Sequence, residues 1–510
     1  MIPKPPFLSE LTPERERLEF ERLKNRMTEV WDAISPHHAE PHTSVVVPSL
    51  TLDQSELTKL EGASFYEERL LFLLIRLRNP RARIVFVTSQ PVHPLILEYY
   101  FQLLVGIPAS HARARLTLLC AHDGSPRSLT EKILERPRLI ERIRVGISDK
   151  SRAYLTVFNS TPLERKLAVL LGIPMNGVDP DLNHLGTKSG SREAFREAGV
   201  SLPFGFEHLR DENDIAEALC EVKARRPLAR KAVIKLDESF SGEGNAVFRY
   251  GEEVSKQRVL QELPGVEFAA TRETWDDYAG KFRRMGGIVE EFLEGDEKRS
   301  PSVQLRSDPH GGVHSISTHD QILGGPSGQV FLGCRFPADG EYRMRIHEAA
   351  LRIGAVLAGK GVVSRFAVDF LVTRPEGHAA WDLYALEINL RMGGTTHPYL
   401  ALQFLTGGQL DPVTGVFLSP TGHPKYYRAT DNLKSEHYRG LLPDDLMEIV
   451  TFNQLQFNYN TESGVLFHLI GALSEFGKLG LTAIGNSPEQ AEALYQRTLD
   501  ALDRETGFGH

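Results

Sequence analysis

Two carboxylates, an amide and a guanidinium recur at short, regular spacing late in the chain, and side chains of these types together handle a cation and phosphate. Phe366-Ala-Val-Asp369-Phe-Leu-Val372 reads as a strand, residues 374–380 as a turn-rich stretch, and 381–388 as a second strand running into Asn389-Leu-Arg391. Side chains alternate along a strand, so Glu387, Asn389 and, if the strand continues, Arg391 share one face. A hairpin centred near His378 sets Asp369 opposite Glu387. The apolar residues flanking these acids call for burial, and buried carboxylates need a cation or hydrogen-bond donors. An oxygen-only donor set suits magnesium, which commonly shares its shell with substrate phosphates. Arg391 would then meet phosphate oxygens or a developing oxyanion. The plainer alternative places both acids on a solvated sheet edge, with Arg391 in a surface ion pair.

Two upstream stretches carry related chemistry. Lys231-Ala-Val-Ile-Lys235-Leu reads as a strand, followed by the loop Ser239-Phe-Ser-Gly-Glu-Gly-Asn245 and a further strand at 246–250. Glycines and serine let backbone amides cradle phosphate, while Lys235 supplies a point charge. The alternative is an ordinary hairpin with a glycine-rich turn. Ile288-Val-Glu290-Glu-Phe-Leu-Glu-Gly295-Asp-Glu297 is an apolar strand ending in acids, and taken alone it reads equally well as strand, turn and solvated face.

Two look-alike motifs are refused. Gly354-Ala-Val-Leu-Ala-Gly-Lys360 nearly spells a P-loop, but Gly361 replaces the hydroxyl residue that should meet magnesium. It also ends a helix and precedes a strand, the reverse of a P-loop, so Gly359 is read as a helix C-cap. Gly242-Glu-Gly244 lacks the third glycine and the following helix of a dinucleotide fingerprint. His397, after a glycine turn, is read as structural, and the His37-His38 pair as a solvated loop.

The chain of 510 residues suggests about three domains. Lys and Arg total 59 against 67 Asp and Glu, a net charge of −8 that offers no global attraction for nucleic acid or acidic membranes. Three distant cysteines without metal-ligand spacing read as small buried hydrophobes in a reducing compartment. The N-terminus lacks a signal core, and the apolar runs are too short to span a bilayer, so the expected location is cytoplasmic.

Stepping outward, Thr12-Pro-Glu-Arg opens a helix through Trp31. Strands are expected at 45–47, 83–88, 116–120 and 154–158, with helical stretches at 67–77, 95–105, 130–143 and 163–171. That alternation predicts an α/β domain over 1–185. Next come a mixed lid subdomain at about 200–287 and a strand-rich core at 288–410 interrupted by a helix near 342–358. Together they form a second domain, 186–410. The remainder, 411–510, reads as a small α+β segment with apolar runs at 465–470 and 479–484. A helix capped by Ser487 closes it.

The order of these pieces resembles the ATP-grasp superfamily over roughly residues 180–400. Gly186-Thr-Lys188 and the following amphipathic segment look like its first lysine and helix, Val233-Ile-Lys235 like its second lysine, residues 289–297 like its hinge strand, and Glu387-Ile-Asn-Leu-Arg391 like its metal strand. The resemblance implies ATP and Mg2+ as cofactors. Lys188 and Lys235 would bind ATP phosphates under a lid of backbone from Ser241, Gly242 and Gly244. Glu290 and the backbone of Glu291 and Leu293 would face adenine, and Glu297 the ribose. Asp369, Glu387 and Asn389 would hold magnesium, and Arg391 would stabilise the phosphoryl charge. The loop at 239–245 departs from the commonest glycine pattern of the superfamily. Ser64-Phe-Tyr-Glu-Glu-Arg-Leu-Leu-Phe, Arg83-Ile-Val-Phe-Val-Thr-Ser-Gln and Leu466-Phe-His-Leu-Ile-Gly-Ala-Leu-Ser-Glu-Phe-Gly-Lys-Leu-Gly are similar to the pheganomycin-type peptide ligases along nearly the whole chain. This implies a carboxylate-amine ligase working through an acyl phosphate. An ATP-grasp kinase and a non-catalytic nucleotide-binding protein are the rivals. The expected partners are a carboxylate donor and an amine acceptor, small-molecule or peptide, with no nucleic acid and no membrane; a homodimer is the default for a soluble enzyme.

Overall fold

A computed structural model describes residues 11–34, 40–52, 54–239, 244–270, 273–324, 328, 330–375, 377–378, 380 and onward to 507. Among these residues the strands form three sheets. The first is parallel, built from β1 (His42–Val47), β2 (Ala82–Thr88), β3 (Leu116–Cys120), β4 (Ala153–Val157) and β5 (Met175–Asn176) in the order β3-β2-β1-β4-β5. Its apolar runs are covered on both faces, as a parallel sheet requires. Val45 and Val47 pack with Phe20 and Leu167, whereas Val46 turns to Leu70 and Leu74 on the opposite side.

That opposite cover is a 3₁₀ helix, Ala63–Arg78, whose apolar residues point in every direction and are buried accordingly. Residues three apart eclipse in a 3₁₀ helix, so Tyr66 and Arg69 lie on one face. The same core continues into the C-terminal residues Leu466, Leu479 and Leu481.

The second sheet contains β6 (Gly205–Leu209), β7 (Lys231–Leu236), β8 (Asn245–Arg249), β9 (Glu267–Phe268) and β10 (Gly287–Glu291), ordered β6-β10-β7-β8-β9 and antiparallel throughout. The third sheet has eleven strands. They are β11 (Glu297–Arg299), β12 (Pro301–Ser307), β13 (Val313–Gly324), β14 (Val330–Phe336), β15 (Ser364–Arg374), β16 (Asp382–Asn389), β17 (Gln409–Leu410), β18 (Phe417–Leu418), β19 (Pro424–Lys434), β20 (Gly464–His468) and β21 (Lys478–Gly485). One face of β12 and β15 presents Val303, Leu305, Phe366 and Val368 to the helix Arg343–Gly359. Alternation leaves Ser302 and Asp369 on the other face. The late strands β19 to β21 extend this sheet through the pairing of Cys334 with Ala429 and of Tyr427 with Ile484.

The first helix runs Pro13–Ile34, with Thr12 Oγ1 accepting from the Arg15 amide. The expected helix at 130–143 is two, Leu129–Leu134 and Pro137–Gly146. Pro137 has no amide hydrogen and its ring collides with the preceding turn, so the apolar periodicity carries on while the backbone does not. Gly359 is the last helical residue rather than the cap. The left-handed residue is Gly361, at φ 90°, the glycine that disqualified the P-loop. Cys334 alone is buried; Cys120 and Cys220 are half-buried, and all three are free thiols. Among the described residues no helix is long and apolar enough to cross a membrane.

Candidate active site

The pairing of β15 with β16 sets Asp369 opposite Glu387 and Ala367 opposite Asn389, with a bulge just beyond Asp369. On the other flank Ser302 of β12 lies opposite Asp369. Asn389 Nδ2 and Gln321 Nε2 each donate to the Asp369 carboxylate at 2.9 Å. Burial and the charge of Glu387 push Asp369 up to about 6. Burial would raise Glu387 as well, but the Lys188 ammonium at 2.6 Å outweighs it and holds Glu387 below the usual carboxylate range. The strand stops at Asn389, so Arg391 is not carried by strand alternation. It reaches the same space from the following turn.

Lys188 is the first residue of the helix Lys188–Glu197, with Thr187 as cap. The backbone amides of Lys188 and Ser189 donate to Asp237 at the end of β7, at 3.1 and 2.8 Å. Ser191 Oγ accepts from the amide of Ile388 at 3.0 Å, binding this helix to β16. A Cβ at Gly190 would stand 2.1 Å from the His184 carbonyl, so only glycine lets the helix sit there. On the neighbouring sheet Lys235 pairs with Glu290, which also takes Arg192 Nη1 at 3.0 Å.

Glu291 and Leu293 line the space between the sheets. The Glu291 carboxylate accepts from the Phe204 amide and from Arg226 Nε, both at 2.8 Å, and the Leu293 carbonyl accepts from Lys298 at 2.6 Å. Glu297 is elsewhere: Arg374 holds it through bonds of 2.9 and 3.0 Å, and it does not line the cavity. Strand β11 pairs Glu297 directly with Arg374, which makes the ion pair local to that rung. Ser241 and Gly242 lie outside the described residues. Gly244 is packed so closely that a Cβ would meet Ser239 Cβ at 2.4 Å.

Lys188, Lys235, Glu290, Asp369, Glu387, Asn389 and Arg391 thus line a single cavity of about 930 Å³. The chain is 32% identical over 480 residues to L-propargylglycine–L-glutamate ligase of Streptantibioticus cattleyicolor, covering 91% of this chain and 95% of that one. It belongs to the ATP-grasp carboxylate-amine ligases. The family model described as IQCH-like, ATP-grasp matches residues 180–262 and 249–413, and the PGM1 C-terminal domain matches 445–498. IQ motif-containing protein H of Danio rerio is 24% identical, over 72% of this chain and 39% of that longer one. A biotin carboxylase–β,γ-ATP complex from Campylobacter jejuni shares the fold, with a TM-score of 0.55 at 12% identity over 90% of this chain and 91% of the other.

Further residues complete the cavity of this ATP-grasp ligase. Tyr66 and Arg69 enter from the 3₁₀ helix, and Asp431 and Lys478 from β19 and β21. Sequence reasoning missed all four; Arg69, followed by the apolar run Leu70–Ile75, carried the only local signal, a charge at the edge of a segment that must be buried. His397 is buried against His468, ring nitrogen to ring nitrogen at 2.9 Å, and burial holds both rings below the usual histidine range. Neither lines the cavity.

Proposed function

We propose that this ligase activates a substrate carboxylate with ATP as an acyl phosphate and transfers the acyl group to an amine, releasing ADP and phosphate. The observation that carries the reading is the convergence of two lysines, two carboxylates, an amide and an arginine, from three separate stretches of chain, on one cavity. Asp369, Glu387 and Asn389 offer oxygen donors alone. Among the described residues no group of three or more His, Cys, Asp or Glu is arranged to hold a metal. Two carboxylates and an amide suit a magnesium ion that fills its shell with substrate phosphates. Bound there, magnesium would screen the charge moving onto the leaving ADP.

The lysines have a matching role. Each is buried against an acid, Lys188 on Glu387 and Lys235 on Glu290. Phosphate oxygens would compete for these ammonium groups and hold the nucleotide across the two sheets. The substrate carboxylate oxygen attacks the γ-phosphorus as the bond to ADP breaks. The amine then attacks the acyl carbon and phosphate leaves. Arg391, beside Glu387 and Asp369, would stabilise the oxyanion between these events. Glu290 and the backbone of Glu291, at the end of β10, and of Leu293 beyond it form the adenine wall. We place the glycine loop at 239–245 as the lid that excludes water. In this reading 1–185, 186–410 and 411–510 are the working units, with substrate meeting nucleotide where they join.

The test is ADP release by the purified chain with ATP and magnesium across a matrix of carboxylates with and without amines, with Glu387→Ala as the control. Release that requires both substrates and yields a condensed product supports ligation. A stable phosphorylated product without an amine requirement would make the protein a kinase instead.

A further inference from the structure

One part of the cavity is built around Arg69, near enough to Arg391 for the two charges to repel. Its guanidinium carbon lies over two aromatic rings, 4.6 Å from the centroid of Tyr66 and 4.4 Å from that of Phe158. Nε donates to the Tyr66 carbonyl at 3.3 Å, and Nη1 to Asp431 Oδ2 at 3.3 Å. Nη2 is buried with no hydrogen-bond partner among the described residues, in a side chain only 4% exposed. A guanidinium packed against two rings and held by two hydrogen bonds has little freedom to turn its remaining nitrogen elsewhere. A buried unpaired donor of this kind is costly unless a ligand meets it. Lys478, also buried, lies over the same Tyr66 ring and donates to its hydroxyl. Arg69 and Lys478 carry two positive charges against the single negative charge of Asp431, so this part of the cavity is one anionic charge short.

We propose that Arg69 and Lys478 bind the α-carboxylate of the amine substrate, which makes that substrate an α-amino acid or a peptide ending in a free carboxylate. This rests on the ligase reading and adds the identity of the acceptor. The carboxylate to be activated must reach the γ-phosphate beside Asp369, Glu387 and Arg391. A carboxylate held by Arg69 is therefore a different one. It lies on the side from which the amine approaches the acyl carbon. The open Nη2 donates to one carboxylate oxygen in a charge-assisted hydrogen bond, while the rings and the two bonds already made hold the guanidinium in place. Asp431 orients Arg69 and keeps its Nη1 occupied. An uncharged acceptor would leave Arg69 Nη2 without an anionic partner in a desolvated site, the situation in which polar pockets discriminate most strongly.

The test offers the full chain, with ATP and magnesium, each of the twenty common L-amino acids as donor. Each is paired with the same amino acids as acceptors in free-acid and carboxamide form, and products are identified by mass spectrometry. The expected result is a preference for free-acid acceptors on the order of 10²-fold in kcat/KM. Arg69→Met and, separately, Lys478→Met should erase most of that preference by raising KM for the acid acceptor while KM for ATP holds. Lys478→Met and the wild-type acid-to-amide ratio keep the question answerable if Arg69→Met fails to fold. Equal use of amides, a preference that falls on the donor instead, or a preference unchanged in both variants would overturn the assignment. Product from carboxylates and amines outside the amino acids, with none from any amino-acid acceptor, would overturn it while leaving the ligase intact. No ADP release with any carboxylate would overturn the ligase reading itself.

Discussion

Removing the charge of Glu290 should cost this protein stability that a second substitution restores without restoring catalysis. Glu290 is 3% exposed and lies between Lys235 and Arg192. Breaking a buried ion pair from one side costs roughly 3–5 kcal/mol, because the partner charge stays behind without compensation. Here the two partners differ. Arg192 keeps Glu207 at 3.1 Å and the Pro203 carbonyl at 3.0 Å, so it remains satisfied when Glu290 becomes glutamine. Among the described residues Lys235 has no second ion-pair partner, and it is the group left stranded. Glu290→Gln should therefore fall near the lower end, about 3 kcal/mol. Lys235→Met leaves Glu290 on Arg192 and should cost about 2 kcal/mol. In the double variant neither stranded charge exists, so its loss should be smaller than the sum by about 2 kcal/mol or more. Equilibrium denaturation without nucleotide, followed by tryptophan fluorescence, supplies the three differences. ADP release should fall in Lys235→Met and stay low in the double variant, which separates the phosphate role of Lys235 from its part in the fold. Additivity within about 0.5 kcal/mol would refute the reasoning, since independent sites behave that way.

Other outcomes can be checked alongside. Arg391→Ala should lower kcat by about 10²–10³-fold, as loss of an oxyanion donor does, with KM for ATP little changed; a change in KM alone would assign it to ground-state binding. Gly244→Ala brings a Cβ to 2.4 Å from Ser239 Cβ, so the hairpin must shift. A rise in KM for ATP and a loss of about 1–3 kcal/mol are expected, measured by kinetics and denaturation. Burial, with the neighbouring Glu67 charge, pushes the Glu68 carboxyl up to about 7 from the usual 4.5 although it accepts from the Gly471 amide at 3.0 Å. A raised carboxyl favours the protonated native state, so its contribution is full below pH 4.5 and is lost as pH rises through about 7. The loss amounts to about 3 kcal/mol. Glu68→Gln should flatten the decline of stability with pH by that amount, and an unchanged slope would show that Glu68 does not titrate in the fold.

Much of the nucleotide side of the cavity was legible because its geometry is local. A strand repeats every two residues, so Asp369, Glu387 and Asn389 could be put on one face, and the turn centred near His378 settled their register before any tertiary contact was known. Lys188 was readable as a lysine ahead of an amphipathic segment, and the structure makes it the first residue of that helix; Lys235 was readable from a strand that enters a glycine loop. Where expectation and structure part, a neighbouring surface intervened. Glu297 pairs with Arg374 across β11 and β15 instead of lining the cavity. Arg391 reaches it from a turn, since the strand ends two residues earlier. The helix at Pro137 broke because backbone sterics overrode an apolar repeat that continued through it.

The acceptor end of the cavity belongs wholly to the tertiary structure. Arg69 and Asp431 are separated by 362 residues, and Tyr66 and Lys478 by 412. The amino-acid sequence alone determined the nucleotide-side motifs and did not single out these charges. It could not say which charges would face one another, because periodicity describes one segment at a time. The partners were chosen by the packing of one shared core, in which the 3₁₀ helix Ala63–Arg78 and the C-terminal strands bury their apolar sides together and leave their few polar groups no other place to meet.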